Sequence, residues 1–333
     1  MKHAVHLLGV FCLFCLLGLS PSYTQEENIV RFAVISDSGT GDQHQYQLAQ
    51  QMVRWHQQRP YSLVLMLGDN IYGFWWRGGR KQDFAKKFDL PYAALLRRGV
   101  VFRAALGNHD TYTRAGGDLI AAWERFHIAG EHGYYSFTAG QLPPNAAQPP
   151  PAATEQLPAP LIEFFVLNSV RLQKDRQDPA QLTWLEQALT ASRARWRIAY
   201  FHHPIYSTGR RHGEDRKLRA KLEPLFLGRS QTPRVQVVLS GHDHIYERFH
   251  PRQGIVYFTV SSGKLARGQA APRPDLAAYE DQQRTFLLIE VTPAQLRFWA
   301  INETGRAFDC AWLDPAGTVT LSLIHISEPT RPY

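Results

Sequence analysis

Residues 63–72 read Leu-Val-Leu-Met-Leu-Gly-Asp-Asn-Ile-Tyr. An unbroken apolar run meets a glycine, and polar residues follow at once. A short apolar run closed by a turn residue reads as a strand buried on both faces. Glycine lets the backbone bend sharply, so Asp69 is offered at the carboxyl end of that strand. The same arrangement recurs along the chain. Val30–Ser36 ends at Asp37-Ser38-Gly39, and Val100–Leu106 ends at Gly107-Asn108-His109-Asp110. Arg197–Phe201 ends at His202-His203-Pro204, and Val235–Ser240 ends at Gly241-His242-Asp243-His244. Any one block alone is usually an ordinary turn. All five in one order gather ligand-type side chains at the carboxyl edge of strands, where α/β sheets build their sites.

Between these strands the apolar period changes. Gln43–Gln58 reads as a helix, with Leu48, Met52 and Trp55 at helical spacing. Arg80–Phe88, Pro91–Arg98 and Leu119–Phe126 read as shorter helices. Pro179–Arg195 and Arg216–Leu227 read as longer ones, the last stopped by Gly228. Tyr134–Ala139 and Leu161–Asn168 read as strands. Residues 141–160 between them hold seven prolines and read as a surface loop inserted in a hairpin. After the last histidine block the texture becomes strand-rich: Ile255–Val260, Thr285–Val291, Gln295–Ala300 and Ala307–Leu313. Strand–helix alternation followed by strands predicts an α/β (α+β) fold, a four-layer αββα sandwich of two mixed sheets flanked by helices.

The chain has 333 residues, 44% of them hydrophobic and 20% charged, which is a globular and not a disordered composition. Its formal charge of +8 suits acidic substrates such as phosphate esters, and equally suits simple solubility. No basic-aromatic stripe or nucleic-acid-binding motif is present, so nucleic acid is not an expected partner. Residues 1–22 read as a secretory signal: Lys2, the apolar core Leu7–Leu19, then Ser20-Pro21-Ser22. That core is too short for a comfortable membrane span, so no stable anchor is expected. Cys12 and Cys15 would leave with it, and Cys310 would remain alone. Export to the periplasm or the extracellular space is the expectation. At the other end, residues 321–333 match the translation of a sequencing adapter and are set apart from the domain, which is taken as 23–320.

The five blocks carry the donors of a two-metal hydrolytic site. Two ions about 3.5–4 Å apart clamp the attacking and leaving oxygens of a phosphoryl displacement. Such a site needs a bridging carboxylate, and Asp69 is the natural one. Tyr72 in the same block is a selective ligand. Its hydroxyl has an ordinary pKa of about 10, so a hard trivalent ion is needed to hold it as phenolate. His242 and His244 stand two apart and point to one side of an extended segment. Asn108 adds a neutral oxygen and His202 a nitrogen. Asp42 and Asp110 are not needed for the ligand count.

These blocks resemble the metallophosphoesterases, and among them the small purple acid phosphatases, also called tartrate-resistant acid phosphatases. The resemblance runs from about Val30 to Leu313, and Tyr72 is the position that discriminates. It implies a ferric ion held by Asp37, Asp69, Tyr72 and His244. It implies a second ion, Fe(II), Zn(II) or Mn(II), held by Asp69, Asn108, His202 and His242. It further implies that a metal-bound hydroxide attacks phosphorus, and that His109 contacts the phosphate and protonates the leaving group. His212 is the nearest match to a further histidine of the family, although the loop before it, Ser207–Arg211, is not a clean match. His203 stands where animal members more often have tyrosine, and is either a substrate contact or a structural imidazole. Ala199 replaces the usual valine of its block. Arg210 and Arg211 could meet an anionic leaving group, and Trp75 and Trp76 could wall the cleft.

The expected activity is hydrolysis of phosphate monoesters at mildly acidic pH by a monomer acting on small phosphorylated substrates or phosphoproteins. A phosphodiesterase on the same scaffold is the first alternative, and a non-catalytic metal-binding protein the second.

Overall fold

In a computed structural model of the chain, the residues described are 29–73, 84–110, 124–130, 132–142, 158–173, 178–228, 234–268 and 270–321. The expected leader, Trp75 and Trp76, the first four residues of the helix Arg80–Phe88, most of the helix Leu119–Phe126, most of the proline-rich insertion and residues 322–333 lie outside them.

Two seven-stranded sheets form the centre. The first is built from β1 (Val30–Ile35), β2 (Leu63–Met66), β3 (Val101–Ala104), β11 (Thr285–Val291), β12 (Leu296–Asn302), β13 (Ala307–Leu313) and β14 (Val319–Leu321). Its order is β14-β13-β12-β11-β1-β2-β3. The second is built from β4 (Tyr135–Gln141), β5 (Pro160–Val166), β6 (Trp196–Tyr200), β7 (Val237–Ser240), β8 (Tyr246–Phe249), β9 (Val256–Thr259) and β10 (Leu276–Glu280). Its order is β10-β8-β9-β7-β6-β5-β4. In the first sheet β1, β2 and β3 are parallel and β1 meets β11 antiparallel. In the second β5, β6, β7 and β9 are parallel, while β4 and β8 run against their neighbours. Both sheets are therefore mixed, as expected.

Alternation along the strands assigns the layers. Ile162, Phe164 and Val166 of β5 point into the core between the sheets. Phe165 and Leu167 point the other way, among Leu185, Leu189, Leu218, Leu222 and Phe226 of the helices. The period of two produces this split. Across the interface Phe32 meets Phe164 edge-on at 5.1 Å, and Phe258 meets Phe298 at 4.9 Å.

The helices start and stop for local reasons. Asp42 caps α1 (Gln43–Gln58) by accepting from Gln45 N at 3.0 Å, and Leu48, Met52 and Trp55 are its buried face. A single π-helical turn, Ala85–Asp89, and the short α2 (Ala93–Leu96) precede β3. The short α3 (Ser169–Leu172) follows β5. Asp178 caps α4 (Pro179–Ala191), with Pro179 in its first turn. Asp215 caps α5 (Arg216–Leu227), which ends at Gly228 with φ of 68°. The expected helix to Arg195 stops four residues earlier, because Ser192 turns extended and Arg195 N pairs with Pro160 O to lead into β6. The strands β8, β10 and β14 were not anticipated. They have 4, 5 and 3 residues, too few to establish a period. The boundary set at Leu321 falls inside β14, where Leu321 pairs with Ala311.

Candidate metal centre

All five blocks meet where the carboxyl ends of β1, β2 and β3 face those of β6 and β7. Close approach needs glycine here. At Gly68, with φ of 101°, a Cβ would stand 2.7 Å from His202 Nδ1. At Gly241 it would stand 1.8 Å from Ser36 Oγ. The two sheets thus touch through backbone at the point where their turns present side chains.

Those turns are strained in a selective way. Asp37, Asp69, His242 and His244 have φ of 52°, 51°, 71° and 57°. Left-handed backbone is uncommon for residues other than glycine and persists where surrounding structure over-determines it. Asp37 N donates to Gly68 O at 3.1 Å. His242 N donates to Asp37 Oδ2 at 3.0 Å, and Ser36 Oγ donates to the same oxygen at 2.8 Å.

The side chains fall into two groups. In the first, Tyr72 OH donates to Asp37 Oδ1 at 2.9 Å and lies 3.2 Å from His244 Nε2, which is 3.4 Å from Asp37 Oδ1. In the second, His202 Nε2 lies 3.1 Å from Asn108 Oδ1, 3.1 Å from His242 Nδ1 and 3.4 Å from Asp69 Oδ2. Asp69 stands between the groups: ligand atoms of Asp37, Asp69 and His202 lie within 4.8 Å of one another. Donors bound at about 2.0–2.2 Å from one ion stand roughly 3 Å apart, which is the spacing found in both groups.

The donor chemistry fits cations as well as the distances do. His202 Nδ1 lies 3.1 Å from Leu67 O, and a carbonyl can only accept, so this nitrogen carries the hydrogen. Its Nε2 then faces the oxygens of Asn108 and Asp69, which also accept. A cation or an extra proton has to lie among them. Burial drives the His202 imidazolium down, yet Asp69, then Asp37 and Asp110, outweigh it and the group is pushed up to about 9. Burial raises Asp37, but the His244 hydrogen bond and the charges of His244 and His202 hold it below the ordinary carboxylate range. Asp69 is likewise raised by burial and lowered further by His202. Burial and then His202 push His242 down to about 3. Burial, Asp37 and Asp69 push the Tyr72 phenol well above its ordinary value, so only a strong Lewis acid would ionise it.

Three further histidines surround the groups. His109 N donates to Asp69 Oδ1 at 2.8 Å, and its ring lies 4.8 Å from that of Tyr72. Its side chain is 36% exposed, so the imidazole stands at the mouth of the site. The His212 ring lies 4.2 Å from that of His242. His203 is buried, with its ring 4.5 Å from that of His242 and its Nδ1 2.9 Å from Ser169 Oγ. His203 N donates to the same hydroxyl at 3.1 Å. Burial, then His202 and His242, drive it well below the ordinary histidine range, so it is neutral. An open cleft of about 580 Å³ beside these rings is lined by Asn108, His203, Arg211, His212 and His242, among others.

Several supporting residues were not legible in the chain. Asp110 stays outside the two donor groups, but its carboxylate accepts from Gly107 N, Asn70 N and Asn70 Nδ2, each at 2.9 Å. It ties the second block to the third. Burial and Asp69 push it up to about 7. Its turn offered one signal, a carboxylate three residues after a glycine. Lys87, from the π-helical turn, donates to Tyr72 O at 2.6 Å. Glu247 accepts from Ser207 Oγ and Thr208 N, both at 3.0 Å, and from Thr208 Oγ1. Asp243 Oδ1 accepts from Gly213 N at 3.1 Å. These two carboxylates hold both ends of the loop that carries Arg211 and His212.

A two-sheet α/β fold with ligand-type side chains at facing strand ends defines a metal-dependent hydrolase scaffold. Residues 30–246 match the calcineurin-like phosphoesterase family, and the chain belongs to that family. It is similar to purple acid phosphatase 4 of Arabidopsis thaliana, 25% identical over 90% of this chain and 91% of that protein. It is also similar to tartrate-resistant acid phosphatase type 5 of Mus musculus, 22% identical over 92% of this chain and 96% of that protein. Among solved structures, GAP50, the anchor in the inner membrane complex of Plasmodium, shares the fold with a TM-score of 0.69. It is 15% identical, over 86% of this chain and 89% of that one. The family's phosphoester chemistry is metal-dependent, in keeping with the donor groups above. Among the described residues no helix is long and apolar enough to cross a membrane.

Proposed function

We propose that this chain is an exported acid phosphatase that hydrolyses phosphate monoesters at mildly acidic pH. The observation that carries this reading is Tyr72, whose phenol oxygen stands within 3.2 Å of both Asp37 Oδ1 and His244 Nε2. The second donor group has no such oxygen, so the two groups suit different ions. In this reading Asp37, Asp69, Tyr72 and His244 hold Fe(III). Asp69, Asn108, His202 and His242 hold Fe(II), Zn(II) or Mn(II). When bound, the pair supplies the Lewis acidity that neutralises the phosphoryl oxygens and activates the attacking water.

The protein's own groups do the rest. His109, at the mouth and fixed through its backbone to Asp69, protonates the leaving oxygen. His212 and the neutral His203 wall the leaving-group side. His203 presses on His242 and keeps its ring in place. Arg211 at the cleft edge attracts the anion. The enzyme acts as a monomer on small phosphorylated substrates or phosphoproteins.

The test is turnover of matched aryl phosphate monoester and diester by iron- and zinc-loaded protein from acidic to neutral pH. Monoester preference with an acidic optimum is expected. Diester preference would make the chain a phosphodiesterase on the same centre. Absence of turnover with both metals bound would favour a non-catalytic metal protein.

A further inference from the structure

Tyr72 is touched by a cation that the proposed chemistry leaves unused. Lys264 Nζ lies 4.8 Å from the centroid of the Tyr72 ring. The backbone beneath it is fixed to the turn that presents Asp37. Ser262 N donates to Ser36 O at 2.9 Å and Lys264 N donates to Asp37 O at 3.0 Å. Ser36 N donates to Ser262 Oγ at 3.2 Å, and Arg284 Nε donates to Gly263 O at 2.6 Å. Gly263 lies so close that a Cβ would stand 2.4 Å from Asp37 O. The Cα of Lys264 is therefore pinned, and only its four-carbon stem moves.

That stem carries the charge over the ring. Lys264 is exposed, and its amine makes no hydrogen bond or ion pair with the described residues. Attraction to the face of an aromatic ring is modest at an exposed site. It does not satisfy the three N–H donors of the amine. The same ring packs against His109, so both groups stand at one mouth. Once cations occupy the two donor groups, the charge there is positive, and a neighbouring amine gains from an anion that both can share.

We propose that Lys264 is a substrate-binding residue that donates to a free oxygen of the substrate phosphate from the Tyr72 side. This rests on the phosphatase reading above. The ligand class is a phosphate group with unesterified oxygens, whether on a monoester or as the inorganic product. Lysine serves such a group as a mobile point charge.

The test uses the iron- and zinc-loaded full chain with Lys264→Met and Lys264→Arg. Calorimetric titration with inorganic phosphate reads binding without turnover. Lys264→Met should weaken phosphate about tenfold, the lower end for a hydrogen bond to a charged group, and raise KM more than it lowers kcat. Lys264→Arg should stay within about threefold of the parent, since it keeps the charge. Phosphate affinity in Lys264→Met within about twofold of the parent would overturn the proposal. So would a parent protein that binds no phosphate, or a variant whose metal content falls with its affinity. A parent that binds phosphate through Lys264 yet turns over no ester would sink the phosphatase reading alone.

Discussion

Asp69 divides its two oxygens between different neighbours. One accepts from His109 N at 2.8 Å, and the other lies 3.4 Å from His202 Nε2. Replacing it with Asn removes the charge that both donor groups share. Groups that merely orient ligands cost 10–100-fold when changed, so a shared ligand should cost at least about 100-fold in activity. Metal analysis of Asp69→Asn should show the loss of metal alongside that of turnover, and full activity with normal metal content would refute the bridging role. Tyr72 has a separate optical test. Tyr72→Phe should abolish any visible charge-transfer band of the iron-loaded protein, and an unchanged band would remove the phenolate from the centre. Both side chains were legible in the chain because each ends or closely follows an apolar run. Asp110 was legible only as a carboxylate near a turn, since two of its three donors come from Asn70, 40 residues away.

The loop between β6 and α5 acts as a unit because two carboxylates, Asp243 in the turn after β7 and Glu247 on β8, grip it. Glu247 is buried, which raises it, while bonds from Thr208 and Ser207 limit the rise, leaving it at about 7 against an ordinary value of 4.5. A folded carboxyl raised in this way keeps a proton that the unfolded chain releases. Its contribution to stability is full below about pH 4.5 and is lost as pH rises through about 7. Denaturant unfolding of the parent and Glu247→Gln across that window should show the parent losing stability relative to the variant with rising pH. A constant gap between the two would show that the carboxyl does not titrate there. The loop itself was predicted, and its role in bringing His212 to His242 was not, because Glu247 lies 40 residues from Ser207 in sequence.

At the scale of the molecule, the site exists because two sheets pack face to face with their strand ends aligned. Phe164 is central to that contact: fully buried, edge-on to Phe32 and stacked on Phe137 at 4.8 Å. Phe164→Ala should cost about 3–5 kcal/mol in urea unfolding. A loss below about 1 kcal/mol would mean that the interface relaxes into the space. The chain by itself determined the strands that carry the blocks, the two-sheet class and the side chains gathered at the centre. These are local properties, set by apolar period and by the turn that ends each run. The tertiary structure alone decided that the donors divide into two groups meeting at Asp69. It also decided that Asp110, Glu247 and Lys87 brace them and that Lys264 overhangs Tyr72. Those relations join residues from different strands and both sheets, and no local pattern encodes a distance across a fold.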